Sequence, residues 1–213
     1  MSDNQLPIPD FVDVDASAVA AAEGAANERA AGGSRWTLPE GVTLSAPSGK
    51  NNARHGRWAE TFTITAAYRS VTKKGLLDVV IMAKPRTGSP NEANGNGFLH
   101  FYLNTAVMNG TATEEQTKSH GRMTNESLGV LSQLIRITGF MPQSNRLGAS
   151  LLSTLFPPKG QLGAKSPLDG KSAVARMHLS ETPKKVTNEE TGEITDVVDT
   201  RLEVDAFLPE PKV

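Results

Sequence analysis

The chain has 213 residues, no Cys, and 22 basic against 23 acidic residues, for a formal net charge of −1. That length suits one domain with tails and can bury a sizeable core, while the lack of Cys excludes a disulfide scaffold, a thiol nucleophile and cysteine-ligated zinc or iron–sulfur centres. Apolar runs are only a few residues long and the opening Met-Ser-Asp-Asn carries no secretory pattern, so the expectation is a soluble, cytoplasmic protein without membrane contact.

The near-neutral total conceals segregation. Residues 1–49 hold seven acids and two bases, a net −5; residues 91–213 hold fourteen acids and twelve bases, a net −2. Between them, residues 50–90 hold eight bases (Lys50, Arg54, Arg57, Arg69, Lys73, Lys74, Lys84 and Arg86) against Glu60 and Asp78, a net +6. A basic block of this size is either an ordinary solvated face or a surface for a polyanion.

Residues 1–50 read as a flexible acidic, Ala-rich arm. Residues 6–11 are extended and Pro-punctuated, and residues 16–31 have the Ala content of a short helix but few large apolar side chains to anchor it. Trp36 is the exception, suited to pinning the arm back onto the domain. Residues 51–209 read as the folded domain, with order beginning near Trp58, and residues 210–213 as a short tail. From Trp58 to Arg69 the chain alternates with β-formers on both faces, Trp58, Glu60, Phe62, Ile64, Ala66 and Tyr68 forming one of them. That is a first strand. Lys73-Lys74-Gly75 is a turn and residues 76–82 a second strand. Residues 85–97, rich in Gly, Pro and Asn, form a long loop. Residues 98–105 are a third strand, with Leu99, Phe101 and Leu103 toward the core and Phe98, His100, Tyr102 and Asn104 on the other face. The period then becomes helical: Leu128, Leu131, Leu134 and Ile135 make an apolar stripe opened by Thr124-Asn-Glu-Ser and closed by Gly139. A second helix is expected over residues 147–156, stopped by Pro157-Pro158. Residues 172–181 and 201–208 are the fourth and fifth strands, with a polar hairpin tip at residues 187–193.

The expected fold is therefore mainly β with a helical insertion. Three strands, helices, then two strands is the element order of a five-stranded OB-fold barrel with helices between strands three and four. The local wording adds to this. The opening strand Arg57-Trp-Ala-Glu-Thr-Phe-Thr-Ile, the third strand ending Phe101-Tyr-Leu-Asn104, the helix from Leu128 to Gly139, and Leu168-Asp-Gly-Lys171 leading into a Val/Ala-rich strand resemble phage-type single-stranded-DNA-binding proteins. The resemblance spans about 150 residues. It implies an OB-fold that coats single-stranded DNA in phage DNA replication or recombination, in the host cytoplasm if phage-encoded. The implied partners are DNA, other copies along the strand, and replication or recombination proteins. It implies no catalytic activity. The absence of a long acidic tail departs from many such proteins.

Single-strand binding needs a basic groove along the phosphates and flat side chains under the bases. Phe98, His100 and Tyr102 stand at i, i+2 and i+4 on one face, rings about 7 Å apart, and Trp58 lies among Arg54, His55 and Arg57. These four rings are the stacking candidates, though each also suits a packed interior. The phosphate candidates are Arg54, Arg57, Arg69, Lys73, Lys74, Arg86, Arg176, Lys184 and Lys185. In an OB-fold, Lys73–Lys74 and Lys184–Lys185 sit on the two loops flanking the groove. Enzyme chemistry finds little support. The four His (55, 100, 120 and 178) are scattered, there is no metal-ligand spacing, no Gly-x-Ser-x-Gly elbow and no phosphate loop, so no enzyme, metal or cofactor is expected. A structural component of a phage head or tail, its arm ordered on a neighbouring subunit, is the alternative. An accessory module of a nuclease or recombinase complex is a third reading.

Overall fold

The computed structural model describes residues 36–45, 53–140, 149–161, 163–187 and 191–210. The extended segment at 6–11, the helix expected over 16–31, the start of the second helix and residues 188–190 of the hairpin tip lie outside the described residues. The described chain is mainly β: β1 (Arg54–Val71), β2 (Leu77–Pro85), β3 (Gly97–Leu103), β4 (Ser172–Thr187) and β5 (Ile194–Leu208). They form one antiparallel sheet in the order β3-β2-β1-β4-β5. Between β3 and β4 lie α1 (Thr105–Asn109), α2 (Glu114–Ile137) and α3 (Ala149–Leu155).

β1 is long because two partners share it. Arg54 to Thr63 pair with β4, and Phe62 to Val71 pair with β2. A register shift falls between Ile64 and Ala66. An extra residue in a strand reverses which side the following side chains face. Trp58, Glu60, Phe62 and Ile64 accordingly face the core, but beyond the shift Ala67 is the buried residue. The single face expected to run from Trp58 through Tyr68 is thus broken, and Tyr68 points outward with Phe98, His100 and Tyr102. The alternation runs unbroken through this stretch of sequence and does not mark the shift.

The core is one cluster in which Phe62, Ile64, Val79, Ile81, Leu99, Phe101 and Leu103 of the sheet meet Leu131, Leu134 and Ile135 of α2 and Phe156 after α3. Each fully buried side chain of this size is worth about 1.5–3 kcal/mol. α2 starts ten residues before Thr124, the expected opening. Thr113 and Gln116 form a reciprocal capping box, and Glu114 and Glu115 occupy the first turn, where carboxylates suit the helix dipole. The first turns of α2 are polar and exposed, so apolar periodicity registers only its last turns. Thr124 instead lies inside the helix, buried, accepting from the Asn104 backbone N–H at 3.0 Å. After α3, Pro157 to Lys159 add a short parallel bridge along β1. The Arg69 N–H donates to the Pro157 carbonyl at 2.9 Å and the Lys159 N–H to the Arg69 carbonyl at 2.8 Å.

Residues 36–45 lie against the sheet. Trp36 is buried, its Nε1 donates to the Gly95 carbonyl at 2.9 Å, and its ring stands 6.0 Å from that of Phe62. A Cβ at Gly97 would come 2.4 Å from Trp36 Cε2, and one at Gly56 2.5 Å from Leu38 Cδ1, so two glycines make the bed for this segment. β4 and β5 run further than expected. Beyond Glu181, the last residue of β4 that pairs with β1, the two strands continue as a two-stranded ribbon to the Thr187–Ile194 pair. With only one neighbouring strand, Pro183 is tolerated there. The edge strands β3 and β5 meet through side chains, the rings of Phe101 and Phe207 being 5.9 Å apart, and Gln133 of α2 accepts from the Phe207 N–H at 3.0 Å. No backbone ladder joins β3 to β5 among the described residues.

Candidate nucleic-acid interface

The outward face of β1, β2 and β3 carries three cross-strand rows. Ala66, Met82 and Phe98 stand opposite one another; next come Tyr68, Val80 and His100, then Ser70, Asp78 and Tyr102. Val80 is fully buried but lies outside the main core cluster: it is covered on this second face. Asp78 is buried too, and His100 Nδ1 lies 3.1 Å from both of its carboxylate oxygens. That contact orients the imidazole, whose ring is nearly parallel to Tyr102 (14°) at a centroid distance of 6.1 Å. Tyr102 is 37% exposed. Lys159 Nζ stands 5.8 Å from the centre of the Tyr68 ring, a cation–π distance. Four rings with two polar tips and an imidazole therefore share one outward surface.

Lys73 and Lys74 are exposed on the β1–β2 turn, just beyond the row that contains Tyr102. Thr72 closes that turn: its carbonyl accepts from the Gly75 N–H at 2.9 Å, its N–H donates to Leu76 at 2.8 Å, and Gly75 has φ 74°. A left-handed residue at this position is where Gly is favoured. Lys84 is exposed at the other end of the face, opposite Thr63. Arg176 is exposed on β4, and Lys184 and Lys185 are exposed on the ribbon, one on each of its faces.

Other expected site residues lie elsewhere. Trp58 is on the core face, 7% exposed, opposite Met177, with Nε1 donating to Glu60 Oε2 at 3.0 Å; its ring offers no surface to a base. Arg69 follows the register shift toward the helices and donates to Ser153 Oγ at 2.7 Å. Arg54, Arg57 and Arg86 are paired with Glu181, Asp205 and Glu210. By contrast, among the described residues no ion pair engages Lys73, Lys74, Lys84, Arg176, Lys184 or Lys185.

Two clusters went unread in the sequence. The fully buried Glu60 accepts from Trp58, from the Asn91 N–H at 3.1 Å and from Asn91 Nδ2 at 2.8 Å, while Asn91 Oδ1 accepts from the Thr37 N–H at 2.8 Å. This buried carboxylate ties β1, the loop before β3 and residues 36–45 together. On the outer side of β4 and β5, His178 lies 2.8 Å from Asp205 and 3.5 Å from Glu203, with the His55 ring 5.3 Å away and Arg57 on the same Asp205. No group of three His, Asp or Glu side chains among the described residues is arranged to hold a metal ion; the Arg57–Asp205 ion pair and the contacts of His178 link β1, β4 and β5. Among the described residues no helix is long and apolar enough to cross a membrane. No protein-family model matches the chain, and no curated protein matches it.

Proposed function

We propose that the protein coats single-stranded DNA, largely without sequence preference, through an OB-fold whose β1–β3 outer face receives the bases. The observation that carries this reading is the outward group of Tyr68, Phe98, His100 and Tyr102 beside the unpaired Lys73–Lys74 turn. Stacking asks for exposed π-faces, and backbone tracking asks for cations that no carboxylate has already claimed. Lys84 and Arg176 extend the path across the sheet, and the ribbon with Lys184 and Lys185 flanks its far side. Closure into a barrel is supported by the Phe101–Phe207 contact between the two edge strands and by α2, which touches β5 through Gln133. Arg54, Arg57 and Arg86 contribute less, because each must leave a carboxylate to reach a phosphate. DNA replication or recombination, with other copies along the strand and proteins of those processes as partners, is the setting in which such coating serves.

The test is fluorescence anisotropy with single-stranded, double-stranded and RNA oligonucleotides. Preferential binding of single strands is expected, weakening steeply with salt; no binding to a poly-dT oligonucleotide refutes the proposal. A second reading, a structural subunit of a phage particle, draws on Ile194 and Val198, exposed on one face of the ribbon beside Pro183, an apolar surface suited to another protein. A large regular assembly in sedimentation, without DNA binding, would favour it.

A further inference from the structure

The core face of β4 and β5 continues beyond the core. Met177 is fully buried opposite Trp58, and the next rows on its face are Leu179–Leu202 and Glu181–Thr200. β1 begins at Arg54, beside Glu181. Past that point the same face runs out along the two-stranded ribbon as the rows Pro183–Val198, Lys185–Asp196 and Thr187–Ile194. Val198 is 59% and Ile194 63% exposed. At the base of the ribbon Leu38, seated over Gly56, forms a wall beside Leu179 and Leu202. The open groove there has a volume of about 480 Å³.

The pattern on this face selects its occupant. Counted outward or inward from the Pro183–Val198 row, the next row carries charge and the one after it an aliphatic side chain. The charges on β4 are opposite in sign, Glu181 on the inner side and Lys185 on the outer. A surface that is its own complement about its middle row is what an isologous contact between two copies requires. Lys185 and Asp196 are cross-strand neighbours, yet among the described residues no ion pair engages either of them. The other face of the ribbon has no such continuity, since it leads back through the polar rows Ser180–Arg201 and His178–Glu203.

We infer that this face is a two-fold interface between two copies of the chain, their ribbons packed face to face and antiparallel with β4 over β4. With the axis across the Pro183–Val198 row, that row packs on its own counterpart. Lys185 lies over Glu181 of the second copy. Ile194 lies over Leu202 of the second copy, in the groove walled by Leu38. Symmetry makes each of these contacts twice. The five rows span about 27 Å. A patch of that length on two strands is at the small end of specific interfaces, so the dimer forms in a concentration-dependent equilibrium. Lys184, on the other face of the ribbon, remains open to a bound strand. The inference stands apart from the single-strand reading, because it rests on the register of β4 and β5 and is tested without DNA.

The experiment is sedimentation velocity of the full chain over a concentration series, without nucleic acid. The wild type is expected to pass from one chain per particle to two and to stop there, because an isologous contact closes on itself. Val198→Asp, an exposed substitution outside the core, should abolish the dimer while the melting temperature stays near that of the wild type. Lys185→Glu and Glu181→Lys each set like charges opposite one another twice, and each should weaken dimerisation roughly a hundredfold. An equimolar mixture of these two variants restores opposite charges at both contacts. Heterodimers should therefore form where neither variant dimerises alone, a rescue that a misfolded variant cannot give. A wild-type mass of one chain at every concentration overturns the inference, and so does an open-ended assembly. A dimer indifferent to all three substitutions, or a mixture that stays monomeric, overturns it as well. Failure to bind a poly-dT oligonucleotide would refute the single-strand reading and leave this interface untouched.

Discussion

Tyr102 and Trp58 illustrate how two aromatic residues of the same strand-rich region acquire different duties. Tyr102 stands over a buried aspartate with its ring against His100, open to solvent; Trp58 faces the core and spends its indole N–H on Glu60. Tyr102→Ala should weaken single-strand binding by about 1–3 kcal/mol, the worth of one stacked base, with the smaller effect on the melting curve. Trp58→Phe should do the reverse, and anisotropy beside calorimetry separates the two. The Glu60 carboxylate has a sharper requirement. One of its oxygens accepts two donors and the other accepts the Asn91 N–H. Glu60→Gln can keep the first pair only by aiming its amide N–H₂ at a second donor. A stability loss of about 1–3 kcal/mol in denaturant unfolding is expected, and unchanged stability would show that the network tolerates rearrangement.

Among the elements, the β4–β5 ribbon stands apart. From Thr182 to Thr187 its strands pair only with each other, so the core does not depend on them. Replacing residues 183–198 by Asn-Gly, a two-residue connection suited to antiparallel strands, should leave the melting temperature in place. It removes Lys184 and Lys185 and should reduce single-strand affinity on the order of tenfold at low salt. If affinity is unchanged, the ribbon serves another partner, and its exposed valines and isoleucine are then the surface to examine. Strand β1 works in the opposite sense. It is shared between two neighbours and shifted in register midway, so one continuous strand places Phe62 in the core and Tyr68 on the outward face.

For the whole molecule, the informative quantity is the arrangement of charge. With a net charge of −1, the proposed binding draws on local charge, through the few cations left unpaired. The logarithm of the affinity should fall linearly with the logarithm of salt, and a Lys73→Gln/Lys74→Gln double variant should lower that slope by about 1.4, two single-strand phosphate contacts. An unchanged slope would remove the β1–β2 turn from the interface. The same arithmetic explains why Arg54, Arg57 and Arg86 contribute little to the proposed path: their charges are already spent on Glu181, Asp205 and Glu210.

Local chemistry was sufficient for the mainly β character, the β1–β2 turn, the helical insertion after the third strand, and the outward placement of Phe98, His100 and Tyr102. Period-two alternation and a short polar turn need no distant partner to be recognised. What depends on distant partners was not legible. The strand order, the register shift that turns Tyr68 outward and Arg69 toward the helices, the packing of Trp36 on Gly97 and of Leu38 on Gly56, the extension of the last two strands into a ribbon, and the carboxylates that claim three of the arginines all arise between residues tens of positions apart. Side-chain type announces which groups can stack, donate or carry charge. Which of them remain available is decided by tertiary packing, because a neighbour brought in by the fold either buries a group, pairs it or leaves it open.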